Sequence, residues 1–396
     1  MVGNHPISRA ERIRGIEVSG IVQISESAAR LRAKGKYVID MGIGEPDFPT
    51  PEHIVEAACQ AAREGKTRYT ANSGVPELRE AIGKRHDAEA KEVLVSAGAK
   101  QVIFNAFMAT LNAGDEVIFA APFWTTYMDV VQVAGGRPVI VQTADTGLKI
   151  TPKELEAVIT SRTRWLLLNN PGNPSGAMYQ QAELEALADV LRRHPHVAVM
   201  SDEIYREISY MPFVSLRNAA PDLRERMLIV DGASKAYAMT GWRIGWGVGP
   251  SSLISSMAII QGQSTSCPSS ISQAAVLAAL TGPNDYLAER CRSFRDRSVY
   301  LADKLRETGI FECAVPDGAF YLFPRCTLAF GKRKPDGKVI ENDDDFSRYL
   351  MEEADVAAVP GHIFGSPGHL RMSYALGQDA LELAYDRIKA ACARLD

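Results

Sequence analysis

Trp165-Leu166-Leu167-Leu168-Asn169-Asn170-Pro171-Gly172-Asn173, Val197-Ala198-Val199-Met200-Ser201-Asp202-Glu203-Ile204-Tyr205 and Met227-Leu228-Ile229-Val230-Asp231-Gly232-Ala233-Ser234-Lys235 follow one another about thirty residues apart, each an apolar run that stops abruptly at polar residues. Four consecutive hydrophobic residues bounded by turn formers read as a strand buried on both faces, the kind found in parallel sheets. The same rhythm extends upstream through Val93-Leu94-Val95, Glu116-Val117-Ile118-Phe119 and Val139-Ile140-Val141, with amphipathic helical stretches between. Strands alternating with helices in this way predict an α/β fold with a mostly parallel central sheet flanked by helices.

Further outward the pattern changes. The turn-rich Gly42-Ile43-Gly44-Glu45-Pro46-Asp47-Phe48-Pro49 precedes a helical pattern that starts near Pro51. After Pro283 a long charged helix is expected from Asn284 to Thr308, then a short strand at Ala319-Phe320-Tyr321-Leu322-Phe323 and later helical ends, which together read as a smaller α+β domain. The charged stretch from Gly331 to Asp345, including Glu341 and Asp343-Asp344-Asp345, reads as a solvated loop. The expected division is an N-terminal arm with part of the small domain (1–45), a large domain (46–283) and a small C-terminal domain (284–396).

The 396 residues carry 44 Lys+Arg against 48 Asp+Glu, a formal net charge of −4. So even a balance argues against nucleic acid or an anionic membrane as principal partner. No apolar run approaches the roughly 18 residues of a membrane span, and Met1-Val2-Gly3-Asn4-His5-Pro6 has no secretory pattern, which predicts a cytoplasmic protein. The six cysteines, Cys59, Cys267, Cys291, Cys313, Cys326 and Cys392, show no metal-ligand spacing and read as isolated thiols, with no metal expected.

Ligands of parallel α/β sheets gather at the carboxyl ends of the strands, so the residues closing each apolar run come first. Asn169 to Gly176 is rich in turn formers and in amides able to donate to an anionic or phenolic oxygen. Asp202 and Tyr205 place a carboxylate and a phenol three residues apart, a pair that alone is more often structural. Lys235 has small, apolar and aromatic neighbours, a setting that lowers an amine pKa and permits a Schiff base; singly, it reads equally as a lysine snorkelling from a core edge. Ser96-Ala97-Gly98-Ala99-Lys100 opens a helix whose free N–H groups favour a phosphate, and Arg243 follows eight residues after Lys235. Trp124, just past a strand, could cover a flat ring or simply fill the core. Taken together, an aldehyde-binding lysine, a carboxylate for a pyridine nitrogen, donors for a phenolate, a phosphate cradle and an aromatic plate point to pyridoxal 5′-phosphate (PLP), with 46–283 as its binding domain.

At this point the chain resembles the fold-type I, PLP-dependent class I/II aminotransferases, in particular the bacterial aspartate aminotransferase branch. The resemblance runs from Gly42-Ile43-Gly44-Glu45-Pro46-Asp47-Phe48 through Lys66-Thr67-Arg68-Tyr69 and Gly74-Val75-Pro76-Glu77-Leu78-Arg79-Glu80 to Leu370-Arg371-Met372-Ser373-Tyr374-Ala375. It implies that Lys235 holds PLP and shuttles the substrate proton, that Asp202 keeps the pyridine nitrogen protonated, and that Tyr205 and Asn173 donate to the ring oxygen under a stacked Trp124. It further implies phosphate contacts from Ala99, Lys100, Ser234 and Arg243, a grip on the substrate α-carboxylate by Arg371 and Gly44, and an aromatic Phe364 near the substrate. Tyr69 is implied to reach the phosphate of a neighbouring subunit, making a homodimer with shared active sites.

Two departures stand out. Gly232 occupies a position where many relatives carry a phosphate-binding serine, and Ile21 one where aspartate-specific relatives often carry a small hydroxyl residue. The segment Gly83 to Lys91 also reads several residues shorter than in close relatives. The implied activity is ping-pong transamination between an L-amino acid and a 2-oxo acid through a Lys235 Schiff base, with aspartate and 2-oxoglutarate first and aromatic, aliphatic or broad specificity next. A C–S β-lyase is the alternative sharing the same residues. A PLP-binding transcriptional regulator would need a DNA-binding module ahead of a resemblance that starts within about the first 20 residues, and a nicotinamide enzyme would need a G-x-G-x-x-G after an early strand.

Overall fold

The computed structural model describes residues 9–396; the beginning of the 1–45 segment, and with it the opening stretch read for a secretory signal, lies outside the described residues. The strands in chain order are β1 (Ile39–Asp40), β2 (Val93–Ser96), β3 (Glu116–Ala121), β4 (Arg137–Gln142), β5 (Thr163–Asn169), β6 (Ala198–Asp202), β7 (Met227–Gly232), β8 (Gly245–Val248), β9 (Tyr321–Leu322), β10 (Val356–Ala357), β11 (Val359–Pro360) and β12 (Leu370–Ser373). A seven-stranded sheet of order β2-β8-β7-β6-β5-β3-β4 forms the centre, parallel throughout except for β8, which runs against both neighbours.

Each apolar run feeds two cores because side chains alternate across a strand. Leu166, Leu168, Val199 and Ile229 pack on one face with Trp246, whereas Leu167, Met200, Leu228 and Val230 pack on the other with Phe107 and Phe119. Helices cover both faces, so the strands carry no polar side and read as unbroken hydrophobic runs.

The remainder of the chain builds a third core. Here β11-β12-β9 is antiparallel, β1 pairs in parallel with β10, and Ile39 and Met41 pack with Phe320, Leu350, Val356 and Met372. The long helix spans Asp285–Glu307, with Asn284 and Thr308 at its ends.

Several local expectations are corrected. Strand β8 was not anticipated, because Gly245 and Gly247 dilute its apolar pattern. Both glycines are required by packing: a Cβ at Gly247 would lie 2.8 Å from Val102 Cγ1, and one at Gly245 would fall on the Ala99 amide, so the helix Ala99–Thr110 rests on bare backbone. The expected strand Ala319–Phe323 contracts to Tyr321–Leu322, since Ala319 takes φ +59° and leaves the ladder. Asp343-Asp344-Asp345 is not loop but the first turn of the helix Asp343–Glu353, with Asn342 Oδ1 accepting from the Asp345 amide at 2.9 Å. Three carboxylates suit the positive end of a helix dipole, which makes this charge run structural. The helix expected near Pro51 is Glu52–Arg63, with Pro51 as its capping residue.

Candidate active site

The carboxyl ends of β5, β6 and β7, the N-terminus of the helix Ala99–Thr110, the Gly44–Glu45 turn and β12 surround a cavity of about 320 Å³. Of the residues singled out from sequence, Gly44, Ala99, Lys100, Trp124, Asn173, Asp202, Tyr205, Ser234, Lys235, Arg243 and Arg371 all line it. The parallel sheet delivers the ends of β5, β6 and β7 to one edge, and Gly44 and Arg371, over 300 positions apart, meet them there because the Met41 carbonyl accepts from the Ser373 amide and ties the turn to β12.

Asp202 closes β6 with a nearly buried side chain, its Oδ2 accepting from Tyr127 Oη at 2.7 Å and its Oδ1 from the Ile204 amide at 3.2 Å. Burial pushes its carboxyl up to about 6 against the pull of those two hydrogen bonds and of the Lys235 charge. Lys235 lies three residues beyond β7 and donates from Nζ to the Gly44 carbonyl at 2.6 Å. Burial of the amine and the nearby Arg371 cation lower its pKa to about 8, so about a tenth of it is neutral at pH 7, far more than for an ordinary lysine. Tyr205 shares a 2.9 Å hydrogen bond with Tyr321 Oη, and burial raises both phenols.

An anion cradle forms at the opposite end of the cavity. Gly98, at φ +89°, precedes the helix Ala99–Thr110 and lets the Arg243 guanidinium come so close that a Cβ there would collide with it. Arg243 itself adopts φ +57° and donates from Nη1 to the Thr240 carbonyl at 2.8 Å. Unsatisfied N–H groups of the first helical turn, with Ser234 and Arg243 beside them, bind an anion on two counts, hydrogen bonding and dipole. Lys100 Nζ lies 4.8 Å from the centre of the Trp124 ring. At Gly232 a Cβ would sit 3.0 Å from Gly245 Cα, so the tight contact between β7 and β8 favours glycine.

Arg371, on β12, is 2% exposed. Its Nη1 donates to Asn173 Oδ1 at 3.0 Å and its Nη2 to the Gly42 carbonyl at 2.5 Å, with the guanidinium carbon 4.6 Å from the Tyr321 ring centre and 4.9 Å from that of Phe364. Its Nε has no hydrogen-bond partner, and among the described residues no carboxylate lies within ion-pair distance of it. Keeping a buried cation without a counter-ion costs several kcal/mol, on the order expected of a site that awaits a carboxylate.

Phe364 is fully buried and touches the cavity only through Arg371. Tyr69 is 91% exposed and lies in a separate groove with Cys267, outside this cavity. Sequence reasoning gave no role to Tyr127, Tyr321, Thr240, Glu45 and Ile204, all of which line it. The two tyrosines sit on a helix and in a strand, where an aromatic residue looks like core; Asn169, first of the amide-rich stretch and last residue of β5, also lines it, and its Nδ2 donates to the Asp202 carbonyl at 3.0 Å.

Behind Asp202, Glu203 is fully buried, accepts from Ser201 Oγ at 3.0 Å and Ser215 Oγ at 2.8 Å, and is pushed by burial from 4.5 up to about 7. Both carboxyls therefore keep protons in the folded chain at pH values where the unfolded chain has lost them, so stability falls as pH rises from about 4 to about 7. Lys235, with a lowered pKa, acts oppositely from about 8 to 10.5, where stability rises with pH. In urea unfolding of the ligand-free protein, Glu203→Gln is expected to shrink the stability difference between pH 5 and pH 7.5 by on the order of 2 kcal/mol; an unchanged difference contradicts this assignment.

Comparison with known proteins matches residues 36–388 to the family described as aminotransferase class I and II. The chain is 49% identical over 395 residues to an aspartate aminotransferase of Rhizobium meliloti (strain 1021), covering 98% of this chain and 96% of that protein. It is 46% identical over 390 residues to a probable aspartate/prephenate aminotransferase of Rickettsia felis, covering 96% of this chain and 95% of that one. Among solved structures, the Rhizobium meliloti aspartate aminotransferase superposes with a TM-score of 0.96 at 48% identity, over 98% of this chain and 100% of the other. The Thermus thermophilus aspartate aminotransferase with maleate gives 0.91 at 36% identity, over 97% and 100%. These named relatives are aminotransferases, so the lyase alternative is not favoured. With the strand-end cavity already in place, the match over nearly the whole chain settles the family: this protein belongs to the class I and II aminotransferases.

Proposed function

We propose that this aminotransferase uses PLP to exchange an amino group between L-aspartate and 2-oxoglutarate. The observation that carries the reading is the grouping of a low-pKa lysine, a buried carboxylate, an anion cradle and an unpaired buried arginine around one cavity. The residues fit the cofactor: Gly98, Ala99, Lys100, Ser234 and Arg243 suit its phosphate, Asp202 its pyridine nitrogen, Asn173 and Tyr205 its ring oxygen, and Trp124 its face. When bound, PLP supplies an aldehyde carbon for amine capture and a ring that accepts electrons from the substrate's Cα.

The protein's own groups do the rest. Asp202, held by Tyr127, places negative charge against the pyridine nitrogen and stabilises its proton. Lys235 Nζ, with a pKa near that of a working base, would take the proton from the substrate Cα and would deliver it to the carbon that had been the cofactor's aldehyde carbon, so that Cα is left at the oxo-acid level. Arg371 orients the substrate through its α-carboxylate, converting burial without a partner into binding energy. Aspartate is the first assignment because the relatives named for it are similar over nearly the whole chain.

We further propose a cytoplasmic homodimer in which the exposed Tyr69 reaches the phosphate site of the partner, and a division of the chain into 46–283 and 284–396 with 1–45 joining the latter in part. The pairing of β1 with β10 supports that last assignment.

Two experiments test the site. Lys235→Ala should lower turnover at least about a thousandfold, and Arg371→Lys should raise KM for amino and oxo acids about a hundredfold while PLP still binds, because an ammonium cannot replace a bidentate fork; near-normal turnover in the first variant or an unchanged KM in the second removes that residue from its role. Mixing Tyr69→Phe with Lys235→Ala protein should produce hybrid dimers having one site free of both lesions and hence recovered activity. Hybrids that form but stay inactive would exclude a shared site.

A further inference from the structure

A carboxylate that this mechanism does not use stands two residues before Gly42, whose carbonyl supports Arg371. Asp40 closes β1 and is 7% exposed. Its Oδ1 accepts from the Gly42 amide at 2.9 Å, a turn in which an aspartate side chain caps the backbone two residues on. The carbonyl of the same Gly42 accepts from Arg371 Nη2. One residue is thus gripped from both sides, its N–H by Asp40 and its C=O by Arg371.

Packing around Gly42 is tight. A Cβ there would lie 3.1 Å from Asp40 Oδ1 and 3.2 Å from Val359 Cγ2, so a side chain at this position would press on the very carboxylate that holds its amide. The segment is also anchored on both edges, with the Met41 amide donating to the Ala357 carbonyl at 2.9 Å and the Met41 carbonyl accepting from the Ser373 amide at 2.7 Å, two residues beyond Arg371. Asp40 Oδ2 makes no hydrogen bond and lies 3.7 Å from Arg32 Nη2, whose Nε donates to the Val38 carbonyl at 3.0 Å. Arg32 belongs to the helix Gly20–Ala33, which brings Ile21 to the cavity wall at its other end.

We infer that Asp40 is a positioning residue for Arg371: it fixes the Gly42 carbonyl that aims the guanidinium, and it supplies negative charge without taking the edge a substrate carboxylate needs. A carboxylate in direct contact with Arg371 would compete with substrate. One placed behind a backbone amide steadies the buried cation and leaves its Nε side free. Burial disfavours the charged form of Arg371, and the Asp40 charge opposes that effect. The inference rests on the proposed function only through the role of Arg371.

The test compares Asp40→Ala, Asp40→Asn and Arg371→Lys holoenzymes, measuring kcat and KM for amino and oxo acids and the Kd of maleate, an unreactive dicarboxylate, by calorimetry. Asp40→Ala is expected to raise KM and the maleate Kd about tenfold with kcat changed less than about threefold, and Asp40→Asn, which keeps an oxygen for the Gly42 amide but loses the charge, about threefold. Values within about 1.5-fold of wild type in Asp40→Asn, or a loss confined to kcat in either variant, overturn the inference; Asp40→Asn alone decides if Asp40→Ala does not fold. An unchanged KM in Arg371→Lys would instead overturn the role of Arg371, so the two failures are distinguishable.

Discussion

The register of three parallel strands is the constraint on which the rest of this molecule depends. Asn169 on β5 pairs with Asp202 on β6, and Asp202 with Val230 on β7, so that β5 and β6 end at one level and β7 runs two residues further to Gly232. Because side chains alternate along a strand, a slip of one residue would turn Asp202 away from the cavity and bring Glu203 into it. The apolar positions prevent such a slip: Leu166, Leu168, Val199 and Ile229 belong to one core and Leu167, Met200, Leu228 and Val230 to the other, and a shift would misplace all of them together. The hydrophobic cores thus hold a carboxylate at a fixed place on the sheet edge.

Electrostatics then gives that edge its chemistry. Burial raises the proton affinity of Asp202, lowers that of Lys235 and leaves Arg371 charged without a carboxylate, three displacements with the same cause. Neighbouring groups oppose burial in each case: the Tyr127 hydrogen bond for Asp202, the Glu45 and Asp202 charges for Lys235, and Tyr321, Tyr205 and Asp40 for Arg371. The stability given up in burying these groups is the source of their affinity for a charged ligand. Close backbone packing contributes as well, since glycines at 98 and 245 let the helix that starts at Ala99 approach both Arg243 and the sheet.

Much of this was legible in the sequence where the physics is local. Five of the expected strands were visible because burial on both faces leaves no polar interruptions, the edge strand β4 was visible only through its short run Val139-Ile140-Val141, and Asp202, Asn173, Ser234 and Lys235 stood out as polar residues at or just past strand ends. Strand β8 escaped because Gly245 and Gly247 answer to the helix packed on them, a contact far away in sequence. Tyr127 and Tyr321 escaped because an aromatic residue gives the same pattern whether its hydroxyl is used or idle. The acidic triplet Asp343–Asp345 read as loop because its charge is visible in sequence, whereas the helix dipole it serves is not. The motif resemblance, and not periodicity, is what brought Arg371 into view, since nothing local to β12 distinguishes a buried arginine that binds from one that packs.

The central claim is that this cavity carries out amino transfer on a bound PLP, and the most direct measurement is the visible spectrum of the PLP-loaded protein mixed with single L-amino acids in the absence of any oxo acid. Aspartate is expected to bleach the yellow band to that of the aminated cofactor and to release oxaloacetate in proportion to sites, with 2-oxoglutarate failing to bleach it and instead restoring the colour. Conversion by no amino acid in the panel, in protein that binds PLP, would contradict that claim.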